Sequence, residues 1–268
     1  MKKYFEYLGL LTFAVCSFYY TTKVTKLMNS KDPLMVTLKQ YGEENKSVCK
    51  EGYIKDGEAV LGASGKELNI EESYSNMQGD EFDKSKLVFN ELTCKINLNS
   101  VKDNYIIKGN ESKNMVSLLI KVNSACLLNE ILEIGKNTNI PLGIIVNDNL
   151  LSKNNDYFLK VLKNNNYLVF EGENINNYLS ISKELGSSQY CIETSKNTTL
   201  KDCKKEKIPL LRGEVYTKNI FLNIKNNLEK GSFYVLSENN VTLKELNALI
   251  KVINAKGMKI VSLDELFN

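Results

Sequence analysis

The C-terminal stretch Gly231 to Phe267 constrains what this chain can fold into more than any other. Phe233-Tyr234-Val235-Leu236 is a short apolar run of aromatic and β-branched residues and reads as a buried strand. From Thr242 onward Leu243, Leu246, Leu249, Ile250 and Ile253 recur at helical spacing. Thr242 is the expected N-cap, with Glu245 completing a capping box, and Gly257 supplies the left-handed residue that ends the helix. Met258 to Leu263 then predicts a second strand and Asp264 to Phe267 the start of a short helix. Strand, crossover helix and strand make one β-α-β unit of a parallel sheet. The pattern also occurs upstream, with a strand at Met115–Ile120, a helix at Leu127–Ile134 and a strand at Ile140–Val146. An α/β domain covering residues 113–268 follows.

The wording of that last unit, Lys256-Gly257-Met258-Lys259-Ile260-Val261-Ser262-Leu263-Asp264-Glu265-Leu266, resembles the closing segment of the polysaccharide deacetylase (NodB-like, carbohydrate esterase family 4) domain. The resemblance covers a little over half of the chain and implies an irregular (β/α) deacetylase-like barrel. In active members a divalent metal polarises the acetamide and activates water, an Asp serves as base, and a late His protonates the leaving amine. Carried over residue by residue, the Asp-Asp pair falls on Lys121 and Val122, the His-x-x-x-His ligands after the strand Tyr167–Phe170 on Gly172 and Asn176, and the late His on Ser237. The Arg-x-Pro-Tyr segment has no clear counterpart near Tyr190–Glu193. The resemblance therefore implies the fold with its catalytic motifs lost and with no cofactor. A divergent metal-dependent deacetylase is the alternative, with Asp148, Glu171 and Glu173 as the carboxylates that would hold Mg or Ca.

Composition narrows the partners. The formal charge of +3 is nearly balanced, and no basic cluster is interleaved with aromatics, so nucleic acid is not an expected partner. No Gly-rich phosphate loop occurs, which argues against a nucleotide. The chain contains no His, and Ser237-Glu238 has none with which to form a triad. Tyr157, Phe158, Tyr178 and Tyr190 are either stacking surfaces for sugar rings or ordinary core and rim aromatics. Asn164-Asn165-Asn166 reads as the turn ending a helix at Asp156–Lys163.

At the N-terminus Lys2-Lys3 precede an aromatic and aliphatic run, Tyr4 to Tyr20. Residues 1–28 read first as an uncleaved signal anchor, then as a cleaved signal, then as a buried helix. The anchor reading implies a single-pass membrane protein with its bulk outside the cytoplasm. Residues 29–112 read as a small β-rich or α+β domain, with strands at Leu34–Leu38, Gly52–Ile54, Glu58–Leu61, Leu87–Phe89, Cys94–Leu98 and Tyr105–Ile107 and a short helix at Ile70–Met77. Cys49 with Cys94, and Cys191 with Cys203, are the candidate disulfides, beside the alternative of six free thiols. The expectation for the whole is a membrane-anchored, non-catalytic module that binds cell-wall glycan or an envelope protein. A structural envelope component is the remaining reading.

Overall fold

The computed structural model describes residues 11–20, 32–78, 81–162, 165–196 and 198–268. The chain divides into two units, one of residues 1–48 and 65–92, the other of residues 49–64 and 93–268.

In the smaller unit the strand expected at Leu34–Leu38 is instead part of a helix, Pro33–Asn45. Asp32 accepts a hydrogen bond from the Leu34 N–H at 2.8 Å, and Pro33 stands in the first turn, where its missing N–H costs nothing. Met35, Leu38 and Gly42 are buried at helical spacing, which outweighs the β-preference of Val36 and Thr37. Asn69 caps the second helix, Ile70–Met77, by accepting from the Glu72 N–H. These helices share a core with the antiparallel pair Gly65–Leu68 and Phe89–Leu92, built on Met35, Leu38, Leu68, Tyr74 and Met77. Residues 11–20 are helical and exposed, and the rest of the anchor candidate, 1–10 and 21–28, lies outside the described residues. Among the described residues no helix is long and apolar enough to cross a membrane.

Among the described residues, the larger unit is built on one curled sheet of eleven strands. In chain order they are β1 (Tyr53–Lys55), β2 (Glu58–Val60), β3 (Tyr105–Lys108), β4 (Met115–Lys121), β5 (Gly143–Val146), β6 (Tyr167–Phe170), β7 (Cys191–Glu193), β8 (Leu210–Arg212), β9 (Val215–Tyr216), β10 (Phe233–Ser237) and β11 (Lys259–Ile260). Their spatial order is β1-β2-β3-β8-β7-β6-β5-β4-β10-β9, with β11 against the start of β4. Among the described strands of this sheet only β1 and β2 pair antiparallel, through a hairpin that Asp56 and Gly57 close at positive φ. The boundary expected at residue 112 is corrected here: β1, β2 and β3 belong to the large sheet, because β3 pairs in parallel with β2 on one side and β8 on the other. The strand expected at Cys94–Leu98 is a turn, since the Asn97 side chain accepts from the backbone N–H groups of Asn99 and Ser100.

Alternation along each strand separates two cores. Leu118 and Ile120, Ile144 and Val146, Leu168 and Phe170, and Tyr234 and Leu236 face the helices. Leu119, Ile145, Val169, Phe233 and Val235 face the concave side, together with Leu263, Leu266 and Phe267 of the terminal helix. The helix-facing layer includes α1 (Leu128–Asn137), α2 (Asp148–Val161), α3 (Asn176–Leu185) and the crossover helix Asn240–Ala255. That crossover helix is capped by Asn239 rather than Thr242, because the Thr242 hydroxyl donates to the Ser237 carbonyl at 2.5 Å. Glu245, expected in a capping box, accepts from the Phe221 N–H instead. Gly257 takes φ +73°, the left-handed position past the helix end. α2 begins at Asp148, earlier than the expected Asp156, and breaks helical geometry at Asn154. Asn165 adopts φ +61° in the turn that follows, while Lys163 and Asn164 lie outside the described residues.

Candidate functional site

The carboxyl ends of the parallel strands are where an α/β sheet presents its ligand-facing side chains. Lys121 is the last residue of β4, Glu171 follows β6 and Thr194 follows β7. Their side chains meet. The Lys121 Nζ lies 2.7 Å from Glu171 Oε2 and donates to Thr194 Oγ1 at 2.6 Å. Glu171 Oε1 accepts from the Thr194 N–H at 3.2 Å, from the Thr194 hydroxyl, and from the Thr198 hydroxyl at 3.1 Å. Both oxygens of this carboxylate are thus engaged by protein donors, and its side chain is only 12% exposed. The disulfide Cys191–Cys203 closes the loop that carries Thr194 and Thr198, with its Cα atoms 6.3 Å apart. The cavity at this centre, about 570 Å³, is lined among others by Lys121, Asn123, Glu171 and Glu173.

A metal of the kind the deacetylase scheme requires does not fit this donor set. An ammonium replaces the first carboxylate, and Val122 is buried in the helix-facing core without any ligand atom. Gly172 contributes no side chain, and Asn176 is the exposed first residue of α3. Ser237 is buried, its hydroxyl accepting from Asn123 Nδ2 at 3.0 Å. The alternative set is not assembled either. Asp148 sits in the first turn of α2 and accepts from Asn177 Nδ2 at 2.9 Å, and Glu173 is exposed. Among the described residues, the metal-type ligand atoms that gather within 4.8 Å of one another are those of Cys49, Glu51 and Cys94. Cys49 and Cys94 are joined by a disulfide, so this trio is not an open ligand set.

One residue at the strand ends has a role the sequence did not reveal. Glu238, directly after β10, is 6% exposed, and its carboxylate accepts from four backbone N–H groups. Oε2 takes Asn123 at 2.9 Å, Ser124 at 3.0 Å and Ala125 at 3.0 Å, while Oε1 takes Leu127 at 2.8 Å. Burial alone would raise this carboxyl, but the four donors more than reverse that and hold it below the ordinary glutamate range. The loop after β4 is pinned by this clamp. An acidic residue at the end of a buried strand is the signal that could have pointed to it.

The aromatics divide by burial. Phe158, Tyr178 and Tyr190 are core residues, with Phe170 and Tyr178 stacked at 5.4 Å between centroids. The Tyr178 hydroxyl donates to the Tyr190 carbonyl and accepts from the Tyr190 N–H, and Tyr190 donates to Asp264. Only Tyr157 of the four is partly exposed.

Comparison with known proteins rests on this geometry. No protein-family model matches the chain. Over 95 residues it is 36% identical to the uncharacterized protein YlxY of Bacillus subtilis (strain 168), a match covering 35% of this chain and 30% of that protein. The match therefore spans less than a third of the curated relative. The crystal structure of wild-type BA3943, a CE4 family pseudoenzyme from Bacillus anthracis, superposes with a TM-score of 0.64 at 17% identity, over 89% of this chain and 96% of that one. The fold is that of the family 4 carbohydrate esterases. A BA3943 mutant, described as a CE4 family pseudoenzyme with restored enzymatic activity, superposes with a TM-score of 0.65 at 16% identity, over 88% and 98% of the two chains. The CE4 likeness covers 89% of this chain, more than the part that carried the resemblance in sequence.

Proposed function

We propose that this chain is a degenerate polysaccharide deacetylase that does not catalyse, and that it serves as an envelope module binding cell-wall glycan or an envelope protein. One observation carries the reading. At the strand ends where the deacetylase scheme needs a metal and an Asp base, Lys121 and Glu171 form an ion pair sealed by Thr194 and Thr198. A base must be free to take a proton from water, and a ligand must be free to meet a metal. Glu171 is neither. Likeness to a CE4 pseudoenzyme supports the same reading. The N-terminal run, Lys2-Lys3 followed by Tyr4 to Tyr20, supports a single-pass tether that leaves the bulk of the chain outside the cytoplasmic membrane. In the described part of this run Leu11, Phe13, Val15, Phe18, Tyr19 and Tyr20 are each more than half exposed.

The test is acetate release from N-acetylated glucosamine oligomers by the full-length chain, supplied in turn with zinc, manganese and cobalt. The expected result is no release above the protein-free control. Turnover that disappears in Glu171→Gln would overturn the reading.

A further inference from the structure

We propose that a second cavity, beside the Lys121–Glu171 centre, binds an amino sugar through its free ammonium group. This rests on the glycan-binding reading and specifies its ligand. The cavity measures about 800 Å³, larger than the 570 Å³ at the ion pair. Five charged side chains line it: Glu58, Glu193, Glu214, Lys196 and Arg212.

Arg212 is fixed from three sides. Its Nε donates to Glu193 Oε1 at 2.9 Å and its Nη1 to Glu58 Oε1 at 3.0 Å. The guanidinium carbon lies 3.8 Å from the centroid of the Tyr105 ring. These two bonds use two of the five N–H donors of a guanidinium, leaving a rigid set of donors for ligand oxygens. The Thr194 and Ser195 hydroxyls add to the lining. Such a wall of fixed donors, hydroxyls and spare carboxylate oxygens suits a polyhydroxylated ligand.

Charge selects among such ligands. Three carboxylates against two cations leave the lining with a net negative charge. Arg212 is matched by Glu58 and Glu193, whereas Glu214 is exposed and has no ion-pair partner among the described residues. Lys204 approaches the Tyr105 ring, at 5.4 Å from its centroid, but does not line the cavity. Lys196, like Glu214, has no ion-pair partner among the described residues, so a ligand carboxylate or phosphate would find one cation but a lining that is net negative. An N-acetylated sugar would bring oxygens without charge, whereas a sugar with a free amine brings both.

The experiment is calorimetric titration of the full-length chain with a glucosamine tetramer, its fully N-acetylated counterpart and a lysine-containing tetrapeptide. The glucosamine tetramer is expected to bind about tenfold more tightly than the acetylated one, and Glu214→Gln to weaken it by about threefold or more. Lys196→Met removes a like charge and is expected to tighten it. Equal binding of the two tetramers, an indifferent Glu214→Gln, or tighter binding of the peptide would each overturn the proposal. If the acetylated tetramer binds and Glu214→Gln changes nothing, the glycan-binding reading survives and this site falls. If neither tetramer binds, both fall.

Discussion

Replacing Glu238 by glutamine tests how the mouth of the sheet is held in place. In the wild-type chain one carboxylate oxygen accepts from three backbone N–H groups and the other from Leu127. Glutamine has a single acceptor oxygen. Placed toward Asn123, Ser124 and Ala125, it turns its NH₂ against the Leu127 N–H; placed the other way, it leaves three donors unmet. At best one charge-assisted bond is lost and three are weakened, so the expected cost is about 2–4 kcal/mol. Urea unfolding of the full chain near neutral pH would read it as a lower midpoint with unchanged slope. The sign of the pH dependence follows from the clamp. The folded-state pKa lies below the ordinary glutamate value of 4.5, so the contribution is fully present above that pH and is lost as pH falls through the folded-state value. The gap between wild type and Glu238→Gln should therefore narrow as acid is added. A loss below about 0.5 kcal/mol near neutral pH, or a gap that widens in acid, would refute the reasoning.

Four further outcomes are expected. In the Lys121→Met and Glu171→Gln double-mutant cycle the two side chains should couple by about 1–3 kcal/mol, because the pair is partly buried and shares Thr194; additive losses would mean the contact contributes nothing. Alkylation without reductant should label Cys16 and Cys126 and spare the other four cysteines, and replacing Cys191 and Cys203 together by Ala should cost about 2–4 kcal/mol for a bridge separated by 12 residues. Four or more labelled thiols would contradict the two bridges. Ala125 stands at φ +62°, where a Cβ is unfavourable, so Ala125→Gly should raise stability by about 0.5–1 kcal/mol in thermal or urea unfolding.

The parts of the fold legible in sequence are those fixed by local pattern. The alternation and helical spacing from Phe233 to Ile260 identify a β-α-β unit, and Gly257 marks the helix end in both sequence and structure. Leu34–Leu38 misleads because Val36 and Thr37 favour strands, although Asp32-Pro33 just before them is a helix-start signal. The place of β1, β2 and β3 could not be read locally. It depends on Ile106 pairing with Leu211, more than a hundred residues away in the chain. The same division holds at the site. Lys121 and Ser237 are found by counting from their strands, but the partners that neutralise and seal Glu171 come from β4 and from the loop after β7. The Glu238 clamp was hidden for a similar reason, since its donors are backbone groups 111 to 115 residues away.

Metal content tests the central claim most directly. The full-length chain, purified without chelator and equilibrated with zinc, manganese or magnesium, would be measured by elemental mass spectrometry. With Lys121 paired to Glu171 and no ligand atom at Val122 or Gly172, the account predicts far less than one equivalent of any of them. Near-stoichiometric metal that is lost in Glu171→Gln would contradict it, and would mean that the ion pair opens to rebuild a metal centre.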